Sequence, residues 1–175
     1  MAALSVAITA AAGAADLVAA RALISEYFAS NSADPDFSRC LVWQHAEAEL
    51  AGLPGDYAPP RGRLLLARVG AEVAGCIALR PTDRPDACEM KRLFVRPAFR
   101  GNGVARALVH ALLREAAAAG YRQMVLDTLP SMKAAQALYR ELGFEDVAAS
   151  TSHPVEGARY MTRSLAAVND ATPGS

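Results

Sequence analysis

One junction constrains the fold of this chain more than any other stretch: a strand pattern runs into a pair of glycines and then into a long helix pattern. The residues are RLFVRPAFRGNGVARALVHALLREAAAAG, from Arg92 to Gly120. After the glycines, apolar residues recur every three or four positions, which predicts an amphipathic helix. Gly120 stands where the C-terminal cap of a helix favours glycine. Burial of the apolar face would lock this helix onto a sheet and hold its N-terminus in place.

The two glycines at the start of this helix predict a binding site for an anion. A helix N-terminus carries unpaired backbone N–H groups and a partial positive charge. Gly101 and Gly103 would let a phosphate approach closely, and Arg100 adds a positive charge beside them. The pattern Arg-x-x-Gly-x-Ala matches neither a P-loop nor a dinucleotide fingerprint. From spacing alone, an ordinary tight turn capped by Asn102 or Gly101 is an equal alternative.

The rest of the chain alternates between strand and helix patterns separated by turn-forming residues. Strand patterns occupy Leu4–Thr9, Arg63–Val69, Glu72–Pro81, Ala87–Val95, Arg122–Thr128, and parts of Phe144–Ser150 and Ala158–Leu165. Besides the junction helix, helix patterns occupy Ala15–Ala29, Phe37–Leu50 and a segment that starts at Pro130 and Ser131 and ends at Gly143. The Ser131 hydroxyl is the predicted N-cap of that last helix. We predict one mixed α/β domain over residues 1–167 and a loose tail over residues 168–175.

Charge and cysteine content argue against several classes of protein. Lysine plus arginine equals aspartate plus glutamate, 18 each, whereas nucleic-acid-binding proteins usually show a basic excess. The three cysteines are far apart and form no C-x-x-C pair, so we expect neither a disulfide framework nor a metal site. No Lys or Arg precedes the N-terminal apolar run, and no run is long enough to span a bilayer. We expect a cytoplasmic protein that binds neither nucleic acid nor membrane.

Two motifs, in this order, resemble the GNAT superfamily of N-acetyltransferases. The first is Arg/Gln-x-x-Gly-x-Gly/Ala between a strand and a long helix, matched by RGNGVA at Arg100–Ala105. The second is Ala-x-x-Leu-Tyr-x-x-x-Gly-Phe, matched at Ala135–Phe144. Either motif alone is weak, but both with a strand between them are specific. The resemblance implies an α/β (α+β) fold, a single domain with a central mixed, mostly antiparallel sheet of about six to seven strands flanked by about four helices.

The resemblance also implies acetyl-coenzyme A as the donor and a primary amine as the acceptor. The coenzyme pyrophosphate would rest on the backbone amides of Arg100, Gly101, Asn102, Gly103, Val104 and Ala105. The pantetheine arm would pair with the backbone of Leu93, Phe94 and Val95, where the family's sheet splays apart. Direct attack of the amine on the thioester is expected, because neither motif contains a cysteine.

Two residues are candidates for acid–base catalysis, which typically contributes about 10²–10⁴-fold to a rate. The resemblance implies that Tyr139 protonates the departing thiolate; the alternative is that Tyr139 only packs beside Leu138. Glu89 is the candidate base, acting directly or through water, and the alternative is an ion pair with Lys91 or a nearby arginine. His110 falls on the solvated face of its helix, which argues against a role as base.

One departure from the family pattern concerns the position three residues before Ala135. Many family members have asparagine there, and this chain has Met132. That asparagine often holds the pantetheine or a water, so Ser131 or Thr128 is a candidate to replace it. Lys133 either serves a coenzyme phosphate or is simply solvated.

Other functions and the acceptor stay open at this stage. A coenzyme-A-binding module that senses or regulates without turnover would keep the glycine turn but would need neither Tyr139 nor Glu89. The acceptor would be recognised by the first two helices, the 51–62 loop and the 148–159 segment, which suit a small amine, an amino acid or a peptide end. A homodimer is common in the family, but no residue here establishes one.

Overall fold

The computed structural model describes residues 5–148 and 153–165. Seven strands lie in the described part of the chain: β1 Val6–Ala10, β2 Arg63–Val69, β3 Glu72–Pro81, β4 Ala87–Val95, β5 Gln123–Thr128, β6 Glu145–Val147 and β7 Arg159–Ser164. The same part holds five α-helices: α1 Gly13–Ser30, α2 Pro35–Trp43, α3 Ala46–Ala51, α4 Val104–Ala118 and α5 Lys133–Glu141. The predicted tail at 168–175 lies outside the described residues, as does Leu4 of the first predicted strand.

The strands form one sheet in the order β1-β2-β3-β4-β5-β7-β6. Every neighbouring pair is antiparallel except β4 and β5, which are parallel. The predicted fold class is therefore confirmed: a single mixed, mostly antiparallel sheet flanked by helices. The hairpin predicted from Gly70 and Ala71 joins β2 to β3, and Gly70 adopts the positive φ of 60° that its turn requires.

Helices cover both faces of the sheet because the strands alternate apolar side chains between them. In β2, Leu65 packs into the core that contains α4 residues such as Leu108 and Leu112. Its neighbours Leu64 and Leu66 point to the opposite face and pack with the α1 residues Leu23 and Ile24. The buried face of α4 thus fixes the helix on the sheet, as the sequence predicts.

The sheet opens between its two parallel strands. Backbone pairing between β4 and β5 covers only Ala87–Glu89 and Gln123–Val125. Beyond that point β4 carries a bulge, because the register with β3 shifts between Cys76 and Ala78 and Arg92 adopts a positive φ of 60°. The bulge turns β4 away from β5 and leaves a gap at the ends of both strands.

Two sequence predictions about helices are wrong. The helix predicted over Phe37–Leu50 is two helices, because His45 adopts left-handed backbone angles (φ 54°) and turns the chain between α2 and α3. The first of them starts earlier than predicted, since Asp34 accepts hydrogen bonds from the amides of Asp36 and Phe37. Ser131 does not cap α5: the N-cap position is Met132, and the Ser131 hydroxyl donates to Asp34 Oδ2 at 2.8 Å.

Within residues 5–148 and 153–165, no helix has the length and apolar character that crossing a membrane requires.

Candidate functional site

The turn before α4 presents a row of unpaired backbone N–H groups. Gly101 and Gly103 have φ values of 77° and 78°, in the left-handed region that favours glycine. Within the described residues, no protein atom accepts a hydrogen bond from the amides of residues 101–106. A Cβ on either glycine would meet no heavy atom within 4 Å, so the space above the turn is open. These amides are available to an anionic ligand.

The side chains of the turn support it rather than fill it. The Asn102 side-chain amide donates to the carbonyl oxygens of Phe99 and Arg100, at 3.5 and 3.1 Å, and does not cap α4. Arg100 Nε donates to the Val95 carbonyl oxygen at 2.9 Å. Its guanidinium lies 5.8 Å from the ring centroid of Phe94. Arg100 is thereby fixed as a positive charge between the end of β4 and the turn.

Three cavities with shared wall residues lie between this turn and the far side of the gap in the sheet. We call the first the coenzyme groove; it has a volume of about 430 Å³ and is lined by Arg100, Ala105, Lys133 and the β4 residues Leu93, Phe94 and Val95. The second, the junction cavity of about 70 Å³, lies between the separated ends of β4 and β5 and shares Tyr27, Leu93, Met132 and Tyr139 with the groove. The third, the outer cavity of about 570 Å³, shares Gln44, Lys91, Leu126 and Asp127 with the junction cavity.

Two phenols, one buried and one partly buried, line both the coenzyme groove and the junction cavity. The predicted acid, Tyr139, is 8 % exposed, and its ring packs 5.8 Å from that of Phe144. Burial raises the pKa of Tyr139 well above its usual value, so the phenol keeps its proton at neutral pH. The second phenol, Tyr27, lies in the first helix, which the sequence assigns to recognition of the acceptor; burial raises its pKa to about 12.

The junction cavity also contains a buried hydroxyl that has no partner among the described residues. Thr128, at the end of β5, is 3 % exposed, and its Oγ1 makes no hydrogen bond. A buried polar group without a partner costs about 1–3 kcal/mol. Met132, at the position where the family pattern has asparagine, lines the same cavity with an apolar side chain. Ser131 lines the groove, with its hydroxyl donated to Asp34.

Glu89 lies on the other side of the gap, in the wall of the outer cavity. Its carboxylate makes ion pairs with Arg80 Nη2 at 3.3 Å and with Lys91 Nζ at 3.2 Å. The two alternatives weighed from the sequence are therefore compatible: Glu89 is an ion-pair partner, and it also faces a cavity that opens toward the gap.

A second carboxylate, Asp127, lies where the outer and junction cavities meet. Its Oδ1 is 3.3 Å from Lys91 Nζ, and its Oδ2 is 3.2 Å from Nε2 of His153. Burial alone would raise the pKa of Asp127, but the charge of Lys91 and hydrogen bonds from His153 and Lys91 outweigh burial and lower it. Asp127 is therefore a stable anion at neutral pH.

Asp127, His153 and Cys40 place possible ligand atoms within 4.8 Å of one another, and His153 Nε2 lies 3.2 Å from Asp127 Oδ2 and 4.0 Å from Cys40 Sγ. The backbone N–H of Val155 donates to His153 Nδ1 at 3.1 Å, so the neutral ring carries its proton on Nε2 and offers no lone pair there. Burial raises the pKa of the Cys40 thiol to about 11, so it is not a thiolate at neutral pH. The trio is a hydrogen-bonded support for the Asp127 carboxylate.

The structure brings most of the residues predicted from sequence to the walls of these three adjoining cavities. Arg100, Ala105 and the β4 residues 93–95 line the coenzyme groove, whereas residues 101–104 do not. Tyr139 lines the junction cavity, and Glu89 lines the outer cavity. The sequence alone does not predict the ion pair of Lys91 with Asp127. The one signal in the sequence was Asp127 itself, a charged residue near the end of an otherwise apolar strand pattern.

Comparison with known proteins gives a consistent result. The family model described as Acetyltransferase (GNAT) family matches residues 20–144. An N-acetyltransferase of Schizosaccharomyces pombe is 36% identical over 147 residues, which cover 83% of this chain and 86% of that protein. Human N-acetylaspartate synthetase is 31% identical over 151 residues, 86% of this chain but only 48% of that protein, so the chain spans about half its length.

A solved acetyltransferase of Salmonella typhimurium, which contains its cofactor acetyl-CoA, superposes with a TM-score of 0.64 at 20% identity. The superposition covers 97% of this chain and 98% of that one, and it supports the fold. The chain belongs to the GNAT acetyltransferase family. It is an N-acetyltransferase, which confirms the resemblance carried by the two sequence motifs.

Proposed function

We propose that this chain transfers an acetyl group from acetyl-CoA to a primary amine, with the reaction centred in the junction cavity. The observation that carries the proposal is the row of unpaired amides at residues 101–106, from which a groove leads directly into the gap of the sheet. The acetyl-CoA bound by the Salmonella protein of the same fold supports this choice of donor.

The coenzyme pyrophosphate would accept hydrogen bonds from the amides of residues 101–106. The partial positive charge of the α4 N-terminus and the fixed guanidinium of Arg100 favour an anion there. The pantetheine arm would follow Leu93, Phe94 and Val95, because β5 leaves that edge of β4 unpaired beyond Glu89. Lys133, exposed in the first turn of α5 and part of the groove wall, is a further contact for a phosphate.

Thr128 is the residue that we propose replaces the family asparagine. Its hydroxyl is buried, faces the junction cavity and lacks a partner within the described residues. Ser131, the other candidate, donates its hydroxyl to Asp34 and would have to give up that bond to contact the pantetheine through it. An amide of the pantetheine arm would pair with Thr128 and remove the cost of burying its hydroxyl unpaired.

The proposed chemistry needs a base on the acceptor side of the gap and an acid on the coenzyme side. The acceptor ammonium loses one proton to the base, its nitrogen forms a C–N bond with the thioester carbonyl carbon, and the nitrogen then loses a second proton to solvent. The C–S bond then breaks, and the thiolate takes the proton of Tyr139, which regains one from solvent. The products are the acetamide, the free thiol of coenzyme A and one proton released to solvent. The buried phenol of Tyr139 is protonated at neutral pH and can serve as this acid.

Glu89 is our proposed base, acting directly or through a water in the outer cavity. Asp127 is also close to the gap, but its lowered pKa gives it a weak affinity for a proton. We therefore assign Asp127 to binding and orienting the positively charged groups around it. The relationship to human N-acetylaspartate synthetase makes an amino acid one candidate class of acceptor, beside simple amines.

Two measurements test the proposal. Acetyl-CoA at about 100 times its dissociation constant should add about 2.7 kcal/mol of stability in a thermal melt. Release of free thiol should then require both acetyl-CoA and an amine. Without a shift of the melting temperature at millimolar acetyl-CoA, the proposed donor would be wrong. If acetyl-CoA raised the melting temperature but no amine caused thiol release, the protein would bind acetyl-CoA without the proposed catalysis.

A further inference from the structure

The outer cavity is where the acceptor must enter, if the proposed function holds. It is the larger opening on the side of the gap away from the coenzyme groove, and it meets the junction cavity at Lys91 and Asp127. Its charged side chains are Arg80, Lys91, Asp83, Glu89 and Asp127, with His45, Trp43 and Tyr160 also in the wall.

Both cations in this wall are already paired with carboxylates. Arg80 donates from Nε and Nη2 to the Glu89 carboxylate at 3.3 to 3.5 Å. Lys91 lies 3.2 Å from Glu89 and 3.3 Å from Asp127, and its side chain is 5% exposed. Because a carboxylate already offsets the positive charge of each of these cations, an acceptor carboxylate would gain less from them than from an unpaired cation.

The wall of the outer cavity has more carboxylates than cations. Asp83 is exposed at the cavity mouth, and its carboxylate has no hydrogen bond or ion pair with the part of the chain that the structure describes. Trp43, whose residue surface is 44% exposed, provides an aromatic face in the same wall. A free carboxylate and an exposed indole both attract a cation, and neither attracts an anion.

We infer that the acceptor is a cationic primary amine that lacks a carboxylate beside the amino group, and not an amino acid. The inference rests on the proposed function and narrows the acceptor that enters the outer cavity. Asp83 and Trp43 select for positive charge at the entrance. Deeper in the outer cavity, the pairing of Arg80 and Lys91 with carboxylates selects against an acceptor that carries a negative charge.

Amine and amino acid pairs that differ only in the carboxylate test this inference. We would measure thiol release with tyramine against tyrosine, tryptamine against tryptophan, and agmatine against arginine. The amine of each pair should have a kcat/KM about 10- to 100-fold higher, the loss expected when a carboxylate is desolvated without a partner. Equal values, or a preference for the amino acids, would overturn the inference while acetyl transfer itself stands. Absence of transfer to all six compounds would overturn the proposed function.

A variant pair shows whether the cavity wall sets the preference. Asp83→Asn should raise KM for the amines about 3- to 10-fold and leave the melting-temperature shift with acetyl-CoA unchanged. Asp86→Asn is the matched control, because Asp86 lies on the same turn, pairs with Arg84 and does not line the outer cavity. Asp86→Asn should leave KM for the amines unchanged. An equal effect of the two substitutions, or no effect of Asp83→Asn, would contradict a binding role for Asp83.

Discussion

The ammonium nitrogen of Lys91 lies 3.3 Å from Oδ1 of Asp127, across the gap between the two parallel strands. Each residue stands two positions beyond the last backbone pair, Glu89 with Val125. The strands are therefore joined by side chains where their backbones have separated. This leaves the edge of β4 free for a ligand while the ends of the strands stay at a fixed spacing.

Gly103→Glu should abolish binding of acetyl-CoA, because a carboxylate would occupy the turn whose amides we assign to the pyrophosphate. The matched control is Gly70→Glu, since Gly70 also has a positive φ (60°) and open space around a Cβ, but lies in the β2–β3 hairpin. Each variant should lose about 1–2 kcal/mol of stability from backbone strain. Only Gly103→Glu should lose the melting-temperature shift with acetyl-CoA, and a retained shift would rule out the amides as the phosphate site.

Tyr139→Phe should lower kcat about 100-fold or more and leave the affinity for acetyl-CoA nearly unchanged. Tyr121→Phe serves as the control. Tyr121 is also buried, but its hydroxyl donates to the Arg61 carbonyl oxygen, and Tyr121 lines none of the three cavities. That variant should lose about 1 kcal/mol of stability and no activity. If Tyr27→Phe slowed turnover and Tyr139→Phe did not, Tyr27 would be the acid.

The first half of the site could be predicted because its chemistry is local. A helix N-terminus, two glycines and an arginine fall within a few residues of one another, so the spacing within Arg100–Ala105 is enough to predict an anion site there. Tyr139 follows from the second motif, and its ring packs on Phe144 while it lines the junction cavity. Its role as the acid stays a prediction.

The rest depends on contacts between distant parts of the chain. Asp127, His153 and Lys91 come together only when β5 lies beside β4 and His153 packs against Asp127. The break between α2 and α3 at His45 was also beyond prediction. Neither Gln44 nor His45 is a glycine or a proline, so no local signal marked the left-handed turn there.

Glu49→Gln should destabilise the protein by about 3–5 kcal/mol at neutral pH, because it leaves the buried Arg92 guanidinium without an anion. Arg92, at the bulge of β4, donates to both Glu49 oxygens at 2.7 and 2.8 Å and thereby ties α3 to the gap. The exposed pair of Arg84 with Asp86 is the control, and Asp86→Asn should cost about 0–1 kcal/mol. Urea unfolding measures the free energy of unfolding of both variants. A similar loss for Glu49→Gln and Asp86→Asn would contradict the importance of burial for the Arg92–Glu49 pair.

The ion pair of Arg92 with Glu49 makes the stability of the protein depend on pH in a defined direction. Burial alone would raise the pKa of Glu49, but the hydrogen bonds and charge of Arg92 outweigh it and lower the pKa below the ordinary 4.5. A lowered pKa in the folded state contributes stability that is present above pH 4.5 and is lost as the pH falls through the folded pKa. The difference between wild type and Glu49→Gln should therefore shrink below pH 4.5, and a constant difference would contradict the ionised pair.

Thr128→Val should change stability and coenzyme binding in opposite directions. The substitution keeps the shape of the side chain and removes a buried hydroxyl that has no partner within the described residues. The free protein should become about 1 kcal/mol more stable, while the affinity for acetyl-CoA should fall about 5- to 10-fold because one hydrogen bond to the pantetheine is lost.

The control for Thr128 is a threonine whose hydroxyl is already paired. Thr162, on β7, accepts a hydrogen bond from Gln123 and donates one to the Met124 carbonyl oxygen. Thr162→Val should destabilise the free protein and leave the dissociation constant of acetyl-CoA unchanged. Calorimetric titration and urea unfolding measure both quantities on each variant. If Thr128→Val lowered stability without weakening acetyl-CoA binding, the hydroxyl would have a structural partner in solution, and Thr128 would not replace the family asparagine.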